Sequence, residues 1–581
     1  MNKYKVIKEV SRSGYPIYKV NDYYLHSKYD PIKEAEKVAD KYFNKNHVHI
    51  IFGHGAGYLT RAIQEKISEN EFVVVIEPIE EIAKEVLLDS DKNHKRTLIL
   101  VGDEISKFRI LFSKIVNSYR NRVIICSASN YEKFLPEYYK DILKIVDEEV
   151  KINQVNVNTI NRYASDWQKN YTLNLFYAFN DVSLKEFFNC INTPLVVAAG
   201  GPSLTKQLPL LKKIKDKIIL VAAGSTVNTL LKNNIEPDLV ITIDGGIANY
   251  DHFKSVFLND SEIIYSLSHH HLILDHFNKR SISFLNEVDF EIQPYAEYML
   301  DRKMTVLPPR PSVANSALDI SYKLTTGPIV LIGQDLAYTN DQTHAEANKN
   351  FKKIDDDYKK QRNMVRAEGY NGEIVWTDYG FLSMKKNFEE YIEKLDDKER
   401  VFNATEGGIK LRGYQQITFD DFVGRFVSDR KKERLSNLSS FTNRSLEDWN
   451  GFLERVNQEI KTHNRVKQLL QKGQKALKRN SLKTAFEPRV IKQLDLVDRE
   501  LKPLYGKGMV SFITKPILLD IFNDYLPKEN ETSEETYNRV YSRSFDLYSR
   551  LEKSAEESKA YFIELKEKIE TKIKMMEREI V

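Results

Sequence analysis

Residues 194–246 read PLVVAAGGPSLTKQLPLLKKIKDKIILVAAGSTVNTLLKNNIEPDLVITIDGG, and this stretch decides the fold. It contains three short apolar runs, at residues 195–199, 218–223 and 239–243, which are rich in valine and isoleucine and are separated by helix-like segments. Apolar runs of this length are typical of parallel strands that are buried on both faces. The stretch therefore predicts a strand–helix–strand–helix–strand unit of a doubly wound α/β sheet.

The ends of these three predicted strands are rich in small residues. They read GGPS from residue 200, GST from residue 224 and DGG from residue 244. In parallel sheets ligands bind at the carboxyl ends of the strands, and glycine lets backbone N–H groups approach a phosphate. Because the spacing is neither that of a P-loop nor GxGxxG, the residues alone leave two interpretations open, a phosphate site or ordinary strand-to-helix turns.

Length, charge and cysteine content narrow the class of protein. The chain has 581 residues, enough for several domain cores, and 87 Lys+Arg against 83 Asp+Glu give a net charge of only +4. So small a net charge argues against a protein that binds nucleic acids in general. Two cysteines far apart predict neither a disulfide framework nor a metal site, and they suit a reducing cytoplasm. We expect no signal peptide and no membrane span, which would need about 20 apolar residues.

Residues 1–150 predict a separate Rossmann-like domain. A strand at residues 49–52, a glycine-rich turn at 53–57, a helix and a second strand that ends at Glu77 follow the pattern of a dinucleotide or S-adenosylmethionine site. In such a site Glu77 would bind ribose hydroxyls. A lone glycine-rich turn is a weak signal and no methyl-transfer signature follows it, so a ligand-free accessory domain is the preferred interpretation.

A central domain is predicted at residues 151–427, beginning with a helical linker at 151–190. A strand at 262–267 ends at three adjacent histidines, which cannot all face one metal ion because neighbours along an extended chain point in opposite directions. A helix starts at Ser312, further strands follow at 329–332 and 400–402, and the polar segment 339–377 is predicted as a lid or a disordered loop.

Residues 428–581 predict an all-α domain. Glycine becomes scarce and apolar residues recur at helical spacing, for example around Trp449 and Phe562. We expect a bundle of three to five helices that carries no chemistry of its own. Its dense mixed charge is typical of a solvated face.

Several motifs together resemble a known family. The AAGGPSL turn at residues 198–204 is similar to the nucleotide-binding turn of bacterial sialyltransferases, which use CMP-activated sugars. That turn, with IEPDLVITID at 235–244, resembles the Maf (motility-associated factor) family of flagellin glycosyltransferases. The likeness continues through PSVAN at 311–315, IVLIGQDLAYTNDQTH at 329–344 and NATEGGIKLRG at 403–413. It covers roughly residues 150–424.

The resemblance implies an activity. A Maf-like protein would be an O-glycosyltransferase that moves a nonulosonic acid, of the pseudaminic or legionaminic acid type, from its CMP-activated donor to serine or threonine hydroxyls of flagellin. It would act in the cytoplasm, support flagellum assembly and motility, and require no cofactor besides the donor substrate. The expected partners are flagellin and the CMP-sugar, and the choice of sugar and the oligomeric state stay open.

The resemblance also implies roles for individual residues. The positions implied to contact the nucleotide are Gly200, Gly201, Pro202, Ser203, Ser225, Thr226, Asp244, Ser312, Asn315 and Asn403. Asp335 and Tyr338 resemble a strand-end element in which the tyrosine donates to the leaving phosphate. His344 is the candidate general base and His269 the second candidate, because imidazole has an unperturbed pKa near 6.5.

Three other functions stay open. A related central domain occurs in archaeal pterin diphosphokinases, where Asp244 would help to hold Mg²⁺ and ATP would be the donor. A methyltransferase would use the N-terminal glycine turn, and a non-catalytic flagellin-binding protein would retain only the fold. The large helical tail favours a protein acceptor over a pterin, since a small metabolite needs no such platform.

Overall fold

The computed structural model describes residues 4–68, 71–88, 96–102, 108–119, 122–277, 281–287, 292–432, 444–481, 483–505, 508–528 and 531–580. The chain divides into two compact units. The first comprises Met1–Ala164, Lys472–Leu496 and Lys515–Arg550, and the second Ser165–Gln471, Val497–Thr514 and Leu551–Val581. The C-terminal segment 428–581 thus contributes residues to both units, so the predicted three-domain boundaries do not coincide with this division.

The first unit is built on two small sheets. The antiparallel one joins β1 (Val6–Val10), β2 (Pro16–Val20) and β3 (Tyr23–Tyr24). The parallel one contains β4 (Val48–Phe52), β5 (Val73–Glu77), β6 (Thr97–Val101) and β7 (Val123–Ser127) in the order β6-β5-β4-β7. Its helices are α1 (Pro31–Tyr42), α2 (Tyr58–Gln64), α3 (Glu80–Leu88), α4 (Arg109–Tyr119) and α5 (Tyr131–Phe134). The Rossmann-like strands predicted here are confirmed, whereas nothing in the sequence pattern indicated the antiparallel sheet.

A long helix, α6 (Pro136–Asn180), has residues in both units, so the predicted boundary near residue 150 falls inside one continuous helix. The strands that follow it in the second unit are β8 (Val182–Ser183), β9 (Leu195–Ala198), β10 (Ile219–Ala223), β11 (Leu239–Thr242), β12 (Glu262–Ser266), β13 (Ser281–Asn286), β14 (Val306–Leu307), β15 (Ile329–Ile332), β16 (Val365–Glu368), β17 (Ile374–Thr377), β18 (Val401–Asn403) and β19 (Gln415–Gln416). Between them lie α7 (Leu204–Ile214), α8 (Thr226–Lys232), α9 (Ile247–Phe253), α10 (Gln293–Leu300), α11 (Val313–Leu324), α12 (Asp356–Gln361), α13 (Tyr379–Glu393) and α14 (Phe419–Phe426).

The large sheet of the second unit runs in the order β14-β13-β12-β11-β10-β9-β15-β18-β19, with β8 beside β13, and its described pairs are parallel. The chain builds outward from β9 to β14 and then returns to place β15 on the other side of β9. This reversal creates a topological switch point between β9 and β15. In open α/β sheets ligands bind outside the carboxyl ends of the strands at such a point.

Alternate residues of the central strands enter two different hydrophobic cores. Val196 and Leu220 belong to the core on one face of the sheet, together with α7 and α8, whereas Val197 and Val221 belong to the other, with α11 and α13. Helices that cover both faces explain why these strands read as continuous apolar runs. The predicted doubly wound α/β class is confirmed.

The C-terminal helices are α15 (Leu446–Asn480), α16 (Pro488–Tyr505), α17 (Gly508–Asp524) and α18 (Ser533–Ile580). In the second unit, Trp449 of α15 and Phe562 of α18 are buried in the same core as α7 and Val196. The helical content predicted for this segment is confirmed, but these helices complete the core of the sheet, so the segment cannot be removed without exposing that core. No described helix is long and apolar enough to cross a membrane.

The polar segment 339–377 contains ordered elements. It includes α12 and the antiparallel hairpin of β16 and β17. The helix predicted to start at Ser312 is confirmed, since the Ser312 hydroxyl caps α11 by accepting a hydrogen bond from the Asn315 N–H.

Candidate functional site

The turn after β9 lies at the switch point, as the sequence predicted. A Cβ atom placed on Gly200 would lie 3.4 Å from the Thr226 hydroxyl and from the Asn348 side-chain amide. The same position lies 3.6 Å from the His344 ring. These are ordinary contact distances, so Gly200 packs against Thr226, His344 and Asn348, of which Thr226 and Asn348 are buried and His344 is half-buried. We call the surroundings of Gly200, Thr226 and His344 the cleft.

The neighbouring Gly201 faces away from this cleft. A Cβ there would lie 2.1 Å from a carboxylate oxygen of Asp335 and 2.5 Å from the Gly333 carbonyl oxygen, and its N–H already donates to that carbonyl at 2.8 Å. Glycine is required here by close packing. The Gly201 N–H is therefore not free to bind a phosphate in this conformation, unlike the prediction from sequence.

Asp335 fixes the turn. Its carboxylate accepts hydrogen bonds from the Ser203 hydroxyl at 2.6 Å, from the Ser203 N–H at 3.2 Å and from the Thr339 hydroxyl at 2.6 Å. The side chain is only 1% exposed, and burial raises its pKa. Asp335 and Ser203 therefore shape the turn that carries Gly200, and their polar groups are hydrogen-bonded to each other.

His344 reaches the cleft from a loop that follows β15. Its imidazole is half-buried, and burial lowers its pKa, an effect that the backbone of Asn350 partly offsets. A lowered pKa keeps the ring neutral at pH 7, the form that can accept a proton. Asn348, which the sequence analysis did not single out, lies four residues on in a polar loop with no pattern that marks it.

Asp244 follows β11 at the carboxyl edge of the sheet, and His252 lies on α9. The Asp244 side chain is exposed, and partial desolvation by the surrounding protein raises its pKa. His252 lies close enough to both Asp244 and His344 for its charge to affect their pKa values. His252 was also missed from sequence, because nothing in the spacing after Asp244 separates it from an ordinary helix residue.

Tyr338 is turned toward a different group. It is 4% exposed, and its hydroxyl donates to the Asp378 carboxylate at 2.8 Å, which also accepts from Arg362 at 3.3 Å. Burial and the Asp378 carboxylate raise the pKa of Tyr338. In this conformation the hydroxyl that was predicted to meet a leaving phosphate is engaged within the protein.

His269 lies in the core. It has no solvent exposure, its Nδ1 lies 3.0 Å from the Ser266 carbonyl oxygen, and burial lowers its pKa to about 3. His271 is also buried, with its Nδ1 2.9 Å from the Asn170 side-chain oxygen. A ring without access to solvent cannot reach an acceptor hydroxyl, so the position of His269 does not support its predicted role as a base.

The other residues that were predicted to contact the nucleotide fall into two groups, those beside Gly200 and those engaged in the protein framework. Thr226 lines the cleft, and the half-buried Ser225 lies beside it at the start of α8. Ser312 and Asn315 cap α11, and the Ser312 hydroxyl lies 2.6 Å from the Asn315 side-chain oxygen. Asn403 is fully buried, and its amide donates to Gln416 at 2.9 Å. The polar groups of Ser312, Asn315 and Asn403 are therefore engaged within the framework of the protein.

The glycine turn of the first unit is closed by its own side chains. Glu77, with no solvent exposure, accepts hydrogen bonds from the N–H groups of His54, Gly55 and Ile79 and from the Tyr131 hydroxyl, at 2.7–3.0 Å. A Cβ on Gly53 would lie 2.3 Å from the Tyr131 ring. The carboxylate that a ribose would need is fully used, which favours the ligand-free interpretation of this domain.

No metal centre emerges around Asp244. Within the described residues, no group of three or more histidine, cysteine, aspartate or glutamate side chains is arranged to hold a metal ion. Among the predicted residues the cleft unites Gly200, Thr226 and His344, with Asp244 at its rim.

Comparison with known proteins supports a relationship at the level of fold. Residues 169–341 match the family model described as 6-hydroxymethylpterin diphosphokinase MptE-like. The structure of a Maf glycosyltransferase from Magnetospirillum magneticum AMB-1 is similar with a TM-score of 0.59 and 13% sequence identity, over 99% of this chain and 95% of that one. No curated protein sequence matches the chain. The resemblance to the Maf family is thus confirmed for the fold over almost the whole chain.

Proposed function

We propose that this chain, which has the fold of a Maf glycosyltransferase, is itself a glycosyltransferase that moves a nonulosonic acid from its CMP-activated donor to flagellin hydroxyls. The observation that carries the proposal is the meeting of Gly200 and His344 at the switch point of the large sheet. A glycine at a strand end, where nucleotides bind in doubly wound sheets, and a neutral imidazole beside it suit group transfer to a hydroxyl.

The chemistry needs one base and one leaving group. Serine and threonine hydroxyls are not ionised at neutral pH, so His344 takes the proton as the hydroxyl oxygen bonds to the anomeric carbon of the sugar. The bond from that carbon to the phosphate oxygen breaks, and its electron pair leaves with CMP. The O–H bond of the acceptor breaks as its oxygen bonds to the sugar, and the proton ends on the imidazole of His344.

Donor specificity follows from the cleft walls. Thr226 and the half-buried Ser225 lie beside Gly200 at the start of α8, and their hydroxyls would meet the phosphate or the sugar side of the nucleotide. Asp244 at the rim would accept hydrogen bonds from ribose hydroxyls or from the cytosine amine, since a carboxylate directly beside a phosphate is unfavourable. No cofactor beyond the donor is required by this scheme.

The proposal includes flagellin as the acceptor and the cytoplasm as the compartment. Flagellin is made in the cytoplasm, and the long helices α15 and α18 offer a platform that a protein acceptor would need and a small metabolite would not. The pseudaminic or legionaminic acid type of sugar rests on the sequence resemblance.

Calorimetric titration tests the donor side of the proposal. The parent protein should bind CMP, and Gly200→Ala should weaken that binding while it leaves thermal unfolding unchanged, because the methyl group fills the floor of the cleft at ordinary contact distances. Equal CMP affinity in the two proteins would contradict the placement of the nucleotide.

A pterin diphosphokinase-like activity is the second candidate, favoured by the family model over residues 169–341. In that reaction ATP would replace the CMP-sugar, and Asp244 would help to hold the Mg²⁺ that accompanies ATP. Titration with Mg·ATP separates the two functions. Binding of Mg·ATP that is lost in Asp244→Asn, with no binding of CMP, would favour the kinase over the glycosyltransferase.

A further inference from the structure

The loop that carries His344 is a closed strap, residues 342–353. Its two ends are joined by hydrogen bonds from the Thr343 N–H to the Lys352 carbonyl at 3.0 Å and from the Lys352 N–H to the Thr343 hydroxyl at 2.9 Å. The Thr343 hydroxyl also donates to the Asn350 carbonyl at 2.8 Å. These bonds make the strap a small unit with a fixed internal shape.

The tip of the strap is fastened to three elements around the cleft. The Ala345 N–H donates to the Gly200 carbonyl at 3.0 Å, and the Glu346 N–H donates to the Thr205 hydroxyl of α7 at 3.1 Å. Lys349 reaches α9, where its ammonium group donates to the Asp251 carbonyl at 2.9 Å. The strap therefore lies across the carboxyl ends of the strands that form the cleft.

Asn348 is the side chain that joins the strap to α8. It is only 4% exposed, its amide donates to the Thr229 hydroxyl at 3.2 Å, and its side-chain oxygen accepts from the Asn350 N–H at 2.9 Å. The preceding residue, Ala347, has a φ of +70°, a conformation that costs a non-glycine residue energy and persists where the surroundings fix it. The hydrogen bonds of Asn348 to Thr229 and to Asn350 hold the tip of the strap in this conformation.

We propose that Asn348 is a positioning residue, which holds the strap so that His344 faces the floor of the cleft at Gly200. The inference rests on the proposed function, in which His344 takes the proton. Asn348 would act without touching the reacting atoms. A general base works only within hydrogen-bond reach of the proton it accepts, and a misplacement of about 1 Å costs roughly 10²-fold in rate.

Replacement of Asn348 by alanine tests the proposal. Asn348→Ala should lower kcat for transfer by about 10–100-fold and change the CMP dissociation constant less than about threefold, since a positioning residue acts on the base. Asn348→Asp keeps an acceptor for the Asn350 N–H and should recover part of the lost rate. A loss of CMP affinity as large as the loss of kcat would overturn the proposal, because Asn348 would then contact the donor directly.

Asn233→Ala is the matched control. The Asn233 amide donates to the Thr229 carbonyl at 2.8 Å from the C-cap position of α8, and among the described residues it has no hydrogen bond to the strap. It should keep the parental kcat. An equal loss of kcat in both variants would overturn the proposal, since it would trace the effect to α8 as a whole.

The decisive comparison uses the double variant. If Asn348 acts through His344, then Asn348→Ala should lower the residual transfer rate of His344→Ala less than about threefold further, because the group that it positions is already gone. A further loss as large as in the parent background would overturn the positioning role. A His344→Ala protein that transfers at the parental rate would instead refute the proposed role of His344, so the two failures are distinguishable.

Discussion

The Asp335 carboxylate accepts a hydrogen bond of 2.6 Å from the Ser203 hydroxyl, which ties the loop after β15 to the turn after β9. The two strands lie side by side at the switch point of the sheet. Asp335 therefore fixes the shape of the turn that carries Gly200. Its predicted place among the reacting groups stays a prediction.

The two adjacent glycines should respond differently to alanine. Gly201→Ala would place a Cβ 2.1 Å from Asp335 and should destabilise the protein by about 1–3 kcal/mol. Gly200→Ala meets only ordinary contacts, so it should unfold like the parent while CMP affinity falls. Chemical unfolding beside calorimetry measures both quantities. Equal stability of the two variants would contradict the packing described for Gly201.

Tyr338→Phe should change stability more than nucleotide binding. The substitution removes the hydroxyl that donates to Asp378 and leaves a buried acceptor short of a partner, which costs about 1–3 kcal/mol. Unfolding in denaturant checks this loss, and calorimetry should give CMP affinity close to that of the parent. A large loss of CMP affinity at unchanged stability would show that the hydroxyl leaves Asp378 and contacts the ligand.

The strands that line the cleft could be predicted from sequence because buried parallel strands leave an unmistakable apolar pattern. The turns at their ends were predicted for the same reason, including Gly200 and Thr226. The hydrogen-bond partners of Asp335 and Tyr338 could not be predicted, because whether a polar side chain faces a ligand or another residue depends on long-range contacts. Ser203 and Asp378 lie far from their partners in sequence, so no local spacing reveals these pairs.

Burial explains the other differences between the sequence predictions and the structure. His269 follows a strand just as a cleft residue would, yet Tyr265 and Asn174 enclose it in the core. The C-terminal segment shows helical apolar faces that fit either a separate bundle or a cover for the sheet. Only the burial of Trp449 and Phe562 in the same core as Val196 distinguishes the two.

Transfer activity should persist to a lower pH than it would with a histidine of unperturbed pKa. Burial lowers the pKa of His344, so its neutral form persists below the ordinary value of about 6.5. The groups that affect it are His252 and the backbone of Asn350. The acid limb of kcat/KM should therefore have its midpoint below pH 6.5 and should disappear in His344→Ala. A limb at the same pH in that variant would assign it to another group.

The first unit should bind neither NAD nor S-adenosylmethionine. Glu77 is fully used by three N–H groups and the Tyr131 hydroxyl, so titration with either ligand should give no binding heat. Glu77→Gln would place an amide donor among these donors and should destabilise the protein by about 1–3 kcal/mol in chemical unfolding. Saturable S-adenosylmethionine binding that Glu77→Gln removes would instead restore the methyltransferase interpretation.

Transfer of the sugar can be measured as the mass of flagellin after incubation with the purified protein and a CMP-activated nonulosonic acid. With the parent protein we expect this mass to increase by whole sugar residues, accompanied by release of CMP. The rate should fall by roughly 10²–10⁴-fold in His344→Ala, the usual contribution of a positioned base. Flagellin of unchanged mass with CMP-pseudaminic and CMP-legionaminic acid alike, or modification at the same rate by His344→Ala, would contradict the account.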